Sequence, residues 1–281
     1  MHRDHDLRID VLGSLRAARH GADVRLGPPQ RRTVLAVLLC GVRQVIATDR
    51  LVDCVWGEHA GSASVGSLHV HLSHLRRTLG SDSIVRHVHG YALAIRHDQL
   101  DADEFDHLAA LGHAALRRNQ FRRGRQHLAA ALALWRGHAY EEFDGAPWAR
   151  GEIARLDAER LGALVSRIDA DLAIGERDVV GELESLVVEH PLHESFCARL
   201  MVALYRAGRQ ADALAQYRAH ADHLVESSGL APTPALRDLQ LRILRHDERL
   251  TIPPRQADDK ETTRDDEQDL ADPNHHRKEE R

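Results

Sequence analysis

The sequence predicts two modules in series: an α+β winged helix-turn-helix module with an N-terminal antiparallel sheet, followed by an all-α module of tetratricopeptide-like helix pairs. Three observations support this. Residues 1–98 give short strands, three helices and a hairpin, in that order. Residues 101–250 have helical periodicity throughout, with short connections. The net charge changes between the modules, from +4 over residues 1–100 to −5 over residues 101–250.

Strand-like segments open the chain and are separated by Gly13 and Gly21. They are Leu7–Gly13, Leu15–His20 and Asp23–Leu26, and they predict a small antiparallel sheet. Pro28-Pro29 opens the first helix and Gly41 closes it, since proline fits a first helical turn and glycine suits the position after the last. A second helix follows over Arg50–Trp56, capped by Thr48 or Asp49 and stopped by Gly57. The third helix runs from a cap at Ser62 or Ser64 to Gly80. Two hairpin strands then follow, Ile84–Val88 and Tyr91–Ile95.

Helical spacing of apolar residues governs the second half of the chain. The predicted helices are Glu104–Arg118, Arg122–Trp135, Trp148–Ile174, Val179–Glu189, Glu194–Ala207, Gln210–Ser227 and Pro234–Leu244. The fifth and sixth form a hairpin turned at Ala207-Gly208, with small residues alternating with Leu and Tyr as in tetratricopeptide units. Residues 251–281 have few apolar side chains and a net charge of −4, which predicts a disordered acidic tail.

The outer face of the third helix is unusual. At roughly 100° per residue, one side collects the apolar residues Val65, Leu68, Leu72, Leu75 and Leu79. Val70, His74 and Arg77 fall on the opposite side, within roughly 60° of one another. An exposed valine between a histidine and an arginine suits a DNA major groove, where arginine can fork onto guanine and a small apolar group can meet a thymine methyl.

Further anion contacts are expected around this helix. Ser67 lies in its first turn, and Arg31 and Arg32 lie at the start of the first helix. Helix N-termini and arginine side chains both favour phosphate, so these three are candidates for the DNA backbone. The basic N-terminal half is where a polyanion would bind.

Composition excludes several kinds of chemistry. Lys260 and Lys278 are the only lysines, so no phosphate-binding loop of the GxxxxGK[ST] type exists. There is no GxSxG, HExxH or Rossmann glycine motif, and we expect neither catalytic residues nor a cofactor. Three separated cysteines without a CxxC pair are typical of reduced thiols. No apolar run approaches the roughly 20 residues of a membrane span, so we expect a cytoplasmic protein and no membrane partner.

A metal site is the alternative for the histidines of the third helix, which form an HxHxxH pattern. His69 and His71 point roughly 160° apart on a helix, so one ion cannot take all three. His71 and His74 could share a face, but a closed site needs further ligands from elsewhere. We therefore expect no metal.

The residues then resemble a known family. Ser67–Arg77, with LGPPQRRTVLAVLL and DRLVDCVWGE before it, is similar to the OmpR/PhoB-type winged helix of one actinobacterial branch. FCARLMVALYRAGRQADALAQYRAHADHLVESSGLAPTPALRDLQLRIL resembles the bacterial transcriptional activation domain. Both modules in this order, over about residues 7–246, identify the chain as similar to the SARP family, the Streptomyces antibiotic regulatory proteins.

The resemblance implies roles for particular residues. It places the third helix in the major groove, with base contacts from Val70, His74 and Arg77 and a phosphate contact from Arg76. His71 and Ser73 flank this face; we include His71 among the base contacts and Ser73 among the backbone contacts. The resemblance also implies a wing that touches the adjacent backbone or minor groove, and its candidate residues are Arg86, His87 and His89.

Two departures from the family pattern affect these roles. The family often has arginine where this chain has His74, and a histidine donates fewer hydrogen bonds and is only partly charged near neutrality. The family's wing arginine lies three residues before the Gly-Tyr pair, where this chain has His87, and Arg86 comes one residue earlier. A shift of one residue in a strand moves a side chain to the other face.

The resemblance also implies partners. An activator of this kind binds short direct repeats in double-stranded promoter DNA of a biosynthetic cluster, with a second protomer beside it. It engages RNA polymerase through the principal sigma factor and the alpha C-terminal domain. Arginines that cluster just after the first helix of the second module are candidates for contact with DNA or polymerase, the alternative being an ordinary solvated face: Arg117, Arg118, Arg122, Arg123 and, close by, Arg125. The alternative is a helical-repeat interaction scaffold without specific DNA readout.

Overall fold

The computed structural model describes residues 7–176 and 179–251. The predicted disordered tail lies outside these residues, except for Thr251. The described chain divides into two compact units, one of residues 7–113 and 126–166 and the other of residues 114–125, 167–176 and 179–251.

A three-stranded antiparallel sheet opens the first unit, as predicted. Its strands are β1 (Leu7–Asp10), β2 (Arg16–Arg19) and β3 (Ala22–Asp23), in the order β1-β2-β3. Leu7 pairs with Arg19 and Asp10 with Arg16. The turn between β2 and β3 is His20-Gly21, and both residues have positive φ, of 54° and 74°. Two positive φ angles in a two-residue loop give a turn whose twist matches that of the strands.

Three helices follow: α1 (Pro29–Cys40), α2 (Thr48–Trp56) and α3 (Ser64–Leu79). The prediction of their ends at Gly41, Gly57 and Gly80 is confirmed. The predicted side-chain caps are wrong, because Ala47 and Ala63 occupy the N-cap positions. The Thr48 N–H donates to the His89 carbonyl, so this chain satisfies the start of α2 from the backbone.

A second antiparallel sheet carries the wing. It contains β4 (Ile46–Ala47), β5 (Ile84–His87) and β6 (Gly90–Leu93), in the order β4-β6-β5. The β5–β6 hairpin is the predicted one, two residues shorter at the end of β6 and one at the end of β5. β4 was not predicted, since two residues are too few to show the period of a strand.

Helices make up the rest of the chain: α4 (Asp101–Arg117), α5 (Phe121–Leu132), α6 (Arg150–Ile174), α7 (Val179–Glu189), α8 (Glu194–Arg206), α9 (Gln210–Ser228) and α10 (Pro234–Leu244). The predicted bounds of α7 and α10 agree at both ends. In the second unit α8 and α9 form the predicted hairpin, and Gly208 makes the turn with φ of 77°. Phe196, Leu200 and Leu204 of α8 are buried in that unit's core.

A buried carboxylate links distant parts of the first unit. Asp101, at the start of α4, accepts hydrogen bonds from the backbone N–H groups of Val11 at 2.8 Å and Leu12 at 3.0 Å. The carbonyls of the same two residues accept from the backbone N–H groups of Tyr140 and Arg136, both at 2.8 Å. The segment after β1 is therefore held between α4 and the loop that precedes α6.

We expect Asp101→Ala to lower the free energy of unfolding by about 2–4 kcal/mol near neutral pH. Two buried N–H groups would lose their acceptor, and each such loss costs roughly 1–3 kcal/mol. Urea unfolding followed by circular dichroism measures the change, with Asp238→Ala, an exposed position in α10, as the control. A loss below about 0.5 kcal/mol, the range of ordinary surface substitutions, would contradict the assigned role.

The difference in the free energy of unfolding between the wild type and Asp101→Ala should depend on pH. Burial raises the pKa of Asp101 to about 6, above its ordinary value of 3.8. Because the folded state then holds the proton more tightly than the unfolded state, this group's contribution to stability falls as the pH rises between those two values. The advantage of the wild type over Asp101→Ala should thus be larger at pH 4.5 than at pH 7. An advantage that grows toward pH 7 would show that the carboxylate is not desolvated.

Candidate nucleic-acid interface

Helix α3 has a buried side and an exposed side. Leu68, Leu72, Leu75 and Leu79 are buried, as predicted from their spacing. Val65 was predicted on the same side, but it is 40% exposed. Ser64, one residue earlier in the first turn and four before Leu68, is buried at this end of the stripe instead.

The exposed side presents the three predicted base-reading residues. Val70 is 55% exposed, although it is apolar, and Arg77 is exposed as well. Arg77 has no hydrogen-bond or ion-pair partner among residues 7–176 and 179–251. His74 is partly exposed, and the nearby charge of Arg31 is the first cause that lowers its pKa. His74 is therefore mostly neutral near pH 7 and contributes little charge unless an anion approaches.

Arg31 extends this surface from the first turn of α1. Its guanidinium packs over Gly27, where an added Cβ would lie 2.5 Å from one of its terminal nitrogens. Its Nε is buried and has no hydrogen-bond partner within the described chain. Its charge lowers the pKa of both His71 and His74, so it lies close to the base of the exposed face. No carboxylate among the described residues pairs with it.

His71 lies beside this face but packs inward. Its ring stacks on Trp56 of α2, with centroids 6.1 Å apart and planes at 22°. Burial is the first cause that lowers its pKa, and its Nδ1 has no partner in the described part of the chain. A half-buried, stacked imidazole favours a role in fixing α3 against α2, so a base contact by His71 stays a prediction with less support than those of Val70 and Arg77.

Arg76 joins α3 to the wing. Its Nε donates to the Ile84 carbonyl of β5 at 2.8 Å, and its guanidinium carbon lies 5.8 Å from the centre of the Tyr91 ring. The predicted phosphate contact must come from its terminal nitrogens, since Nε is already used. Ser67 and Ser73, the other predicted backbone contacts on α3, are exposed.

Arg32, predicted to contact phosphate, is turned to a different partner. Its Nε donates to Glu142 Oε2 at 2.6 Å, and one terminal nitrogen donates to the Leu15 carbonyl at 2.6 Å and to the other Glu142 oxygen. Glu142 also accepts from the Leu15 N–H. This bidentate pair raises the pKa of Arg32 and occupies most of its donors. The adjacent arginines of α1 are thus divided between the exposed face and the loop before α6.

The wing presents its predicted residues on two faces. Arg86 pairs with Tyr91 and His87 with Gly90, so Arg86 and His87 point to opposite faces of the hairpin. Arg86 shares the face of the buried Tyr91, which faces His69 and Arg76 of α3, whereas His87 projects from the other face. Arg86, His87 and His89 are all exposed.

Val88 is a residue that the sequence analysis missed. It lies at the tip of the wing, between His87 and His89, and is 92% exposed. The predicted strand Ile84–Val88 included this residue and left His89-Gly90 as the loop, whereas β5 ends at His87 and β6 begins at Gly90, so the loop is Val88-His89. An apolar tip can wedge against a minor groove without providing charge.

The clustered arginines of the second unit differ in whether they have an ion-pair partner. Arg117 and Arg118 at the end of α4, and Arg122 and Arg123 in the first turn of α5, are exposed and have no ion-pair partner within the described residues. Arg125 differs, since its Nε donates to the buried Asp171 at 2.5 Å.

Metal sites and membrane spans are the other kinds of feature that bear on function. The described residues contain no group of three or more His, Cys, Asp or Glu side chains placed to hold a metal ion. Over residues 7–176 and 179–251, no helix combines the length and apolar character that crossing a membrane requires.

Two families match consecutive parts of the chain. Residues 21–93 match the family described as transcriptional regulatory protein, C terminal, and residues 100–244 match the bacterial transcriptional activator domain. The first match contains α1 to α3 and the wing. The second begins at the residue before α4 and ends with α10.

Relatives span the same two modules. Regulatory protein AfsR of Streptomyces griseus is 38% identical over 88% of this chain, which spans only 25% of AfsR. Regulatory protein DnrI of Streptomyces peucetius is 30% identical over 86% of this chain and 93% of its own length. Transcriptional regulator RedD of Streptomyces coelicolor is 33% identical, over 88% of this chain and 73% of RedD. Mycobacterium tuberculosis EmbR, solved in complex with a low affinity phosphopeptide, superimposes with a TM-score of 0.82 at 29% identity, covering 88% of this chain and 68% of that one.

The position of the wing depends on Gly90, which gives a testable prediction. A Cβ at Gly90 would lie 2.0 Å from the Ile46 carbonyl oxygen, so Gly90→Ala must push β4 away from β6. We expect a destabilisation of roughly 1–3 kcal/mol, as for other overpacked sites, and faster amide exchange in β6. Thermal unfolding and hydrogen exchange measure both.

Gly66→Ala is the matched control, because nothing lies within 4 Å of the added Cβ at this exposed position in α3. That variant should be as stable as the wild type or slightly more stable, since alanine favours a helix over glycine by about 1 kcal/mol. Equal stability of the Gly90→Ala variant and the wild type would contradict the tight contact between β4 and β6.

Proposed function

The chain belongs to the SARP family, the Streptomyces antibiotic regulatory proteins, and from that premise we propose that it activates secondary-metabolite genes by binding direct repeats in their promoters. The observation that carries this proposal is the exposed face of α3. There Val70 and Arg77 point outward and Arg31 lies beside them. Neither arginine has a carboxylate partner among the described residues.

The chemistry of this face fits a major groove. Arg77 can donate two parallel hydrogen bonds to the O6 and N7 atoms of guanine, and Val70 can contact a thymine methyl. Arg31 and the terminal nitrogens of Arg76 can contact phosphate, which positions the helix but carries no sequence information. His74, with its lowered pKa, would read a base mainly as a neutral imidazole.

The rest of the proposal concerns the modules and their partners. We assign DNA binding to residues 1–98 and activation to residues 101–250. Two protomers would occupy adjacent direct repeats, and the second module would engage the principal sigma factor and the alpha C-terminal domain of RNA polymerase. A protein bound at promoters would be found on the nucleoid.

A scaffold without DNA readout is the second candidate. Several large apolar side chains of the second unit are exposed, among them Val188 and Leu230, at 79% and 61%, and such surfaces often bind other proteins. A gel-shift titration with upstream DNA of the neighbouring genes separates the two functions. An activator of the proposed kind gives a sequence-specific shift that weakens steeply with salt, and a scaffold gives none.

Arg77→Ala should weaken binding to the cognate repeat by about 1–3 kcal/mol and relax the preference at one base pair. The reason is that an exposed arginine without an internal partner loses only its contacts with the ligand. Selection of binding sites from a randomised repeat, followed by quantitative gel shift, measures both effects. Arg237→Ala, an exposed arginine of α10, is the control and should leave binding unchanged. An unaltered base preference in Arg77→Ala removes this residue from the reading face.

The double variant Arg122→Glu and Arg123→Glu should abolish activation of a reporter gene, since it reverses charge at a surface proposed to meet DNA phosphate or polymerase. Gel shift with the same variant assigns the contact: lost DNA binding indicates phosphate, and retained binding indicates polymerase. Arg237→Glu and Arg245→Glu, two exposed arginines of the same unit, form the control. Full activation by the first variant would refute a functional role for Arg122 and Arg123.

A further inference from the structure

A partly enclosed cavity of about 540 Å³ lies within the second unit. The end of α6, the start of α7 and the end of α8 surround it, and its apolar wall consists of Leu172, Val179, Val180, Ala203 and Ala207. Small-molecule sites have volumes of roughly 300–1,000 Å³, apolar walls and a few polar groups. The volume and the wall therefore both suit a small ligand.

The lining also has polar side chains, those of Glu176, Thr251 and Arg206, and the cation among them is Arg206, near the end of α8. Its Nε donates to the Leu250 carbonyl at 2.8 Å, and one terminal nitrogen donates to the Leu172 carbonyl at 2.6 Å. A guanidinium has five N–H donors, so these two bonds leave donors on the other terminal nitrogen. That nitrogen has no partner within residues 7–176 and 179–251.

Arg206 also has no carboxylate partner in the described chain, unlike its neighbours in the same unit. Arg167 pairs with Asp171 at 2.6 Å, and Arg199 pairs with Asp169 at 2.5 Å. Burial is the one cause that shifts the pKa of Arg206, and it lowers that pKa. The two carbonyls fix the side chain at the ends of helices but do not neutralise its charge. A partly buried cation beside the apolar side chains of the cavity favours binding of an anion with an apolar body.

We propose that this cavity binds a small monocarboxylate, with its apolar body against Val179, Val180 and Ala203 and its carboxylate on Arg206. The inference goes beyond promoter binding, because it gives the activation module a site for a small-molecule effector. Such a ligand would connect α6, α7 and α8 and would stabilise the fold of the second unit.

A single negative charge fits better than a phosphate. Arg206 is the one cation among the described residues that line the cavity, and the carboxylate of Glu176 lines it as well. A dianion would leave one charge unpaired near that carboxylate, whereas a carboxylate ligand matches one guanidinium and can accept two of its hydrogen bonds. A neutral ligand would leave the charge of Arg206 uncompensated.

Isothermal titration calorimetry of the full chain tests the site, with octanoate as the probe and 1-octanol as the uncharged probe of the same length. Octanoate should bind saturably at one site and at least tenfold more tightly than octanol. A hydrogen bond to a charged group contributes about 1.5–3 kcal/mol, and 1.4 kcal/mol corresponds to tenfold in affinity.

Two variants test the contributions of the charge of Arg206 and of the cavity space separately. Arg206→Met keeps an unbranched side chain and should bind octanoate at least tenfold more weakly while binding octanol as before. Val180→Phe fills the cavity with Arg206 intact and should block both probes. Arg209→Met is the control, since Arg209 pairs with Asp212 and Glu184 and does not line the cavity. It should bind octanoate like the wild type.

Equal binding of octanoate and octanol by the wild type would overturn the proposal, as would undiminished octanoate binding by Arg206→Met. If Arg206→Met does not fold, the comparison of the two probes on the wild type and the block by Val180→Phe still decide the question. None of these measurements includes DNA, so they can fail while the gel shift succeeds, or the reverse.

Discussion

The fold of the first unit depends on a carboxylate that is buried by distant parts of the chain. Asp101 starts α4, and its two oxygens accept the N–H groups of Val11 and Leu12, which follow β1. Burial of this charge is costly, as its raised pKa shows, and the two hydrogen bonds and Arg136 at 3.5 Å offset part of that cost. The N-terminal sheet and the first helix of the activator-type module thereby share one core. Helix α3 thus belongs to a unit whose core includes residues far beyond the winged helix.

The arginines of the first unit differ in whether their charge has an acidic partner inside the protein. Arg32 and Arg31 are adjacent in α1, but Arg32 is neutralised by Glu142 and Arg31 has no acidic partner within the described chain. Arg76 is intermediate, since its Nε links α3 to β5 and its terminal nitrogens have no hydrogen-bond partner within the described chain. An arginine with an acidic partner inside the protein contributes to the fold, whereas one without an acidic partner among the described residues is available to a ligand. Arg77 and Arg31 satisfy the second condition at α3, and Arg206 satisfies it in the second unit.

The sequence was sufficient to predict elements whose apolar periodicity extends over several turns. It was insufficient to predict contacts between residues far apart in the chain. The bounds of α7 and α10 follow from apolar spacing and flanking Gly or Pro, and the burial of Leu68, Leu72 and Leu75 follows from the angle per residue. β4 shows no period because it has two residues. The pair of Arg32 and Glu142 joins positions 110 residues apart, so no local pattern distinguishes Arg32 from Arg31. The caps failed for a related reason: a backbone carbonyl of the wing satisfies the start of α2, which a local rule for capping side chains cannot anticipate.

The position of the wing is fixed by its contacts with α3 and β4. Arg76, Tyr91 and the close contact of Gly90 with Ile46 fix where the hairpin stands, so its register is not free to adjust. That register places Arg86 on the face of Tyr91, His87 on the opposite face, and the apolar Val88 at the tip. The wing therefore offers a phosphate the exposed guanidinium of Arg86, beside an apolar tip. On the proposed DNA surface, Arg31, Arg76, Arg77 and Arg86 have no carboxylate partner among the described residues, so three of these four charges lie on α3 and in the first turn of α1 and the wing adds one.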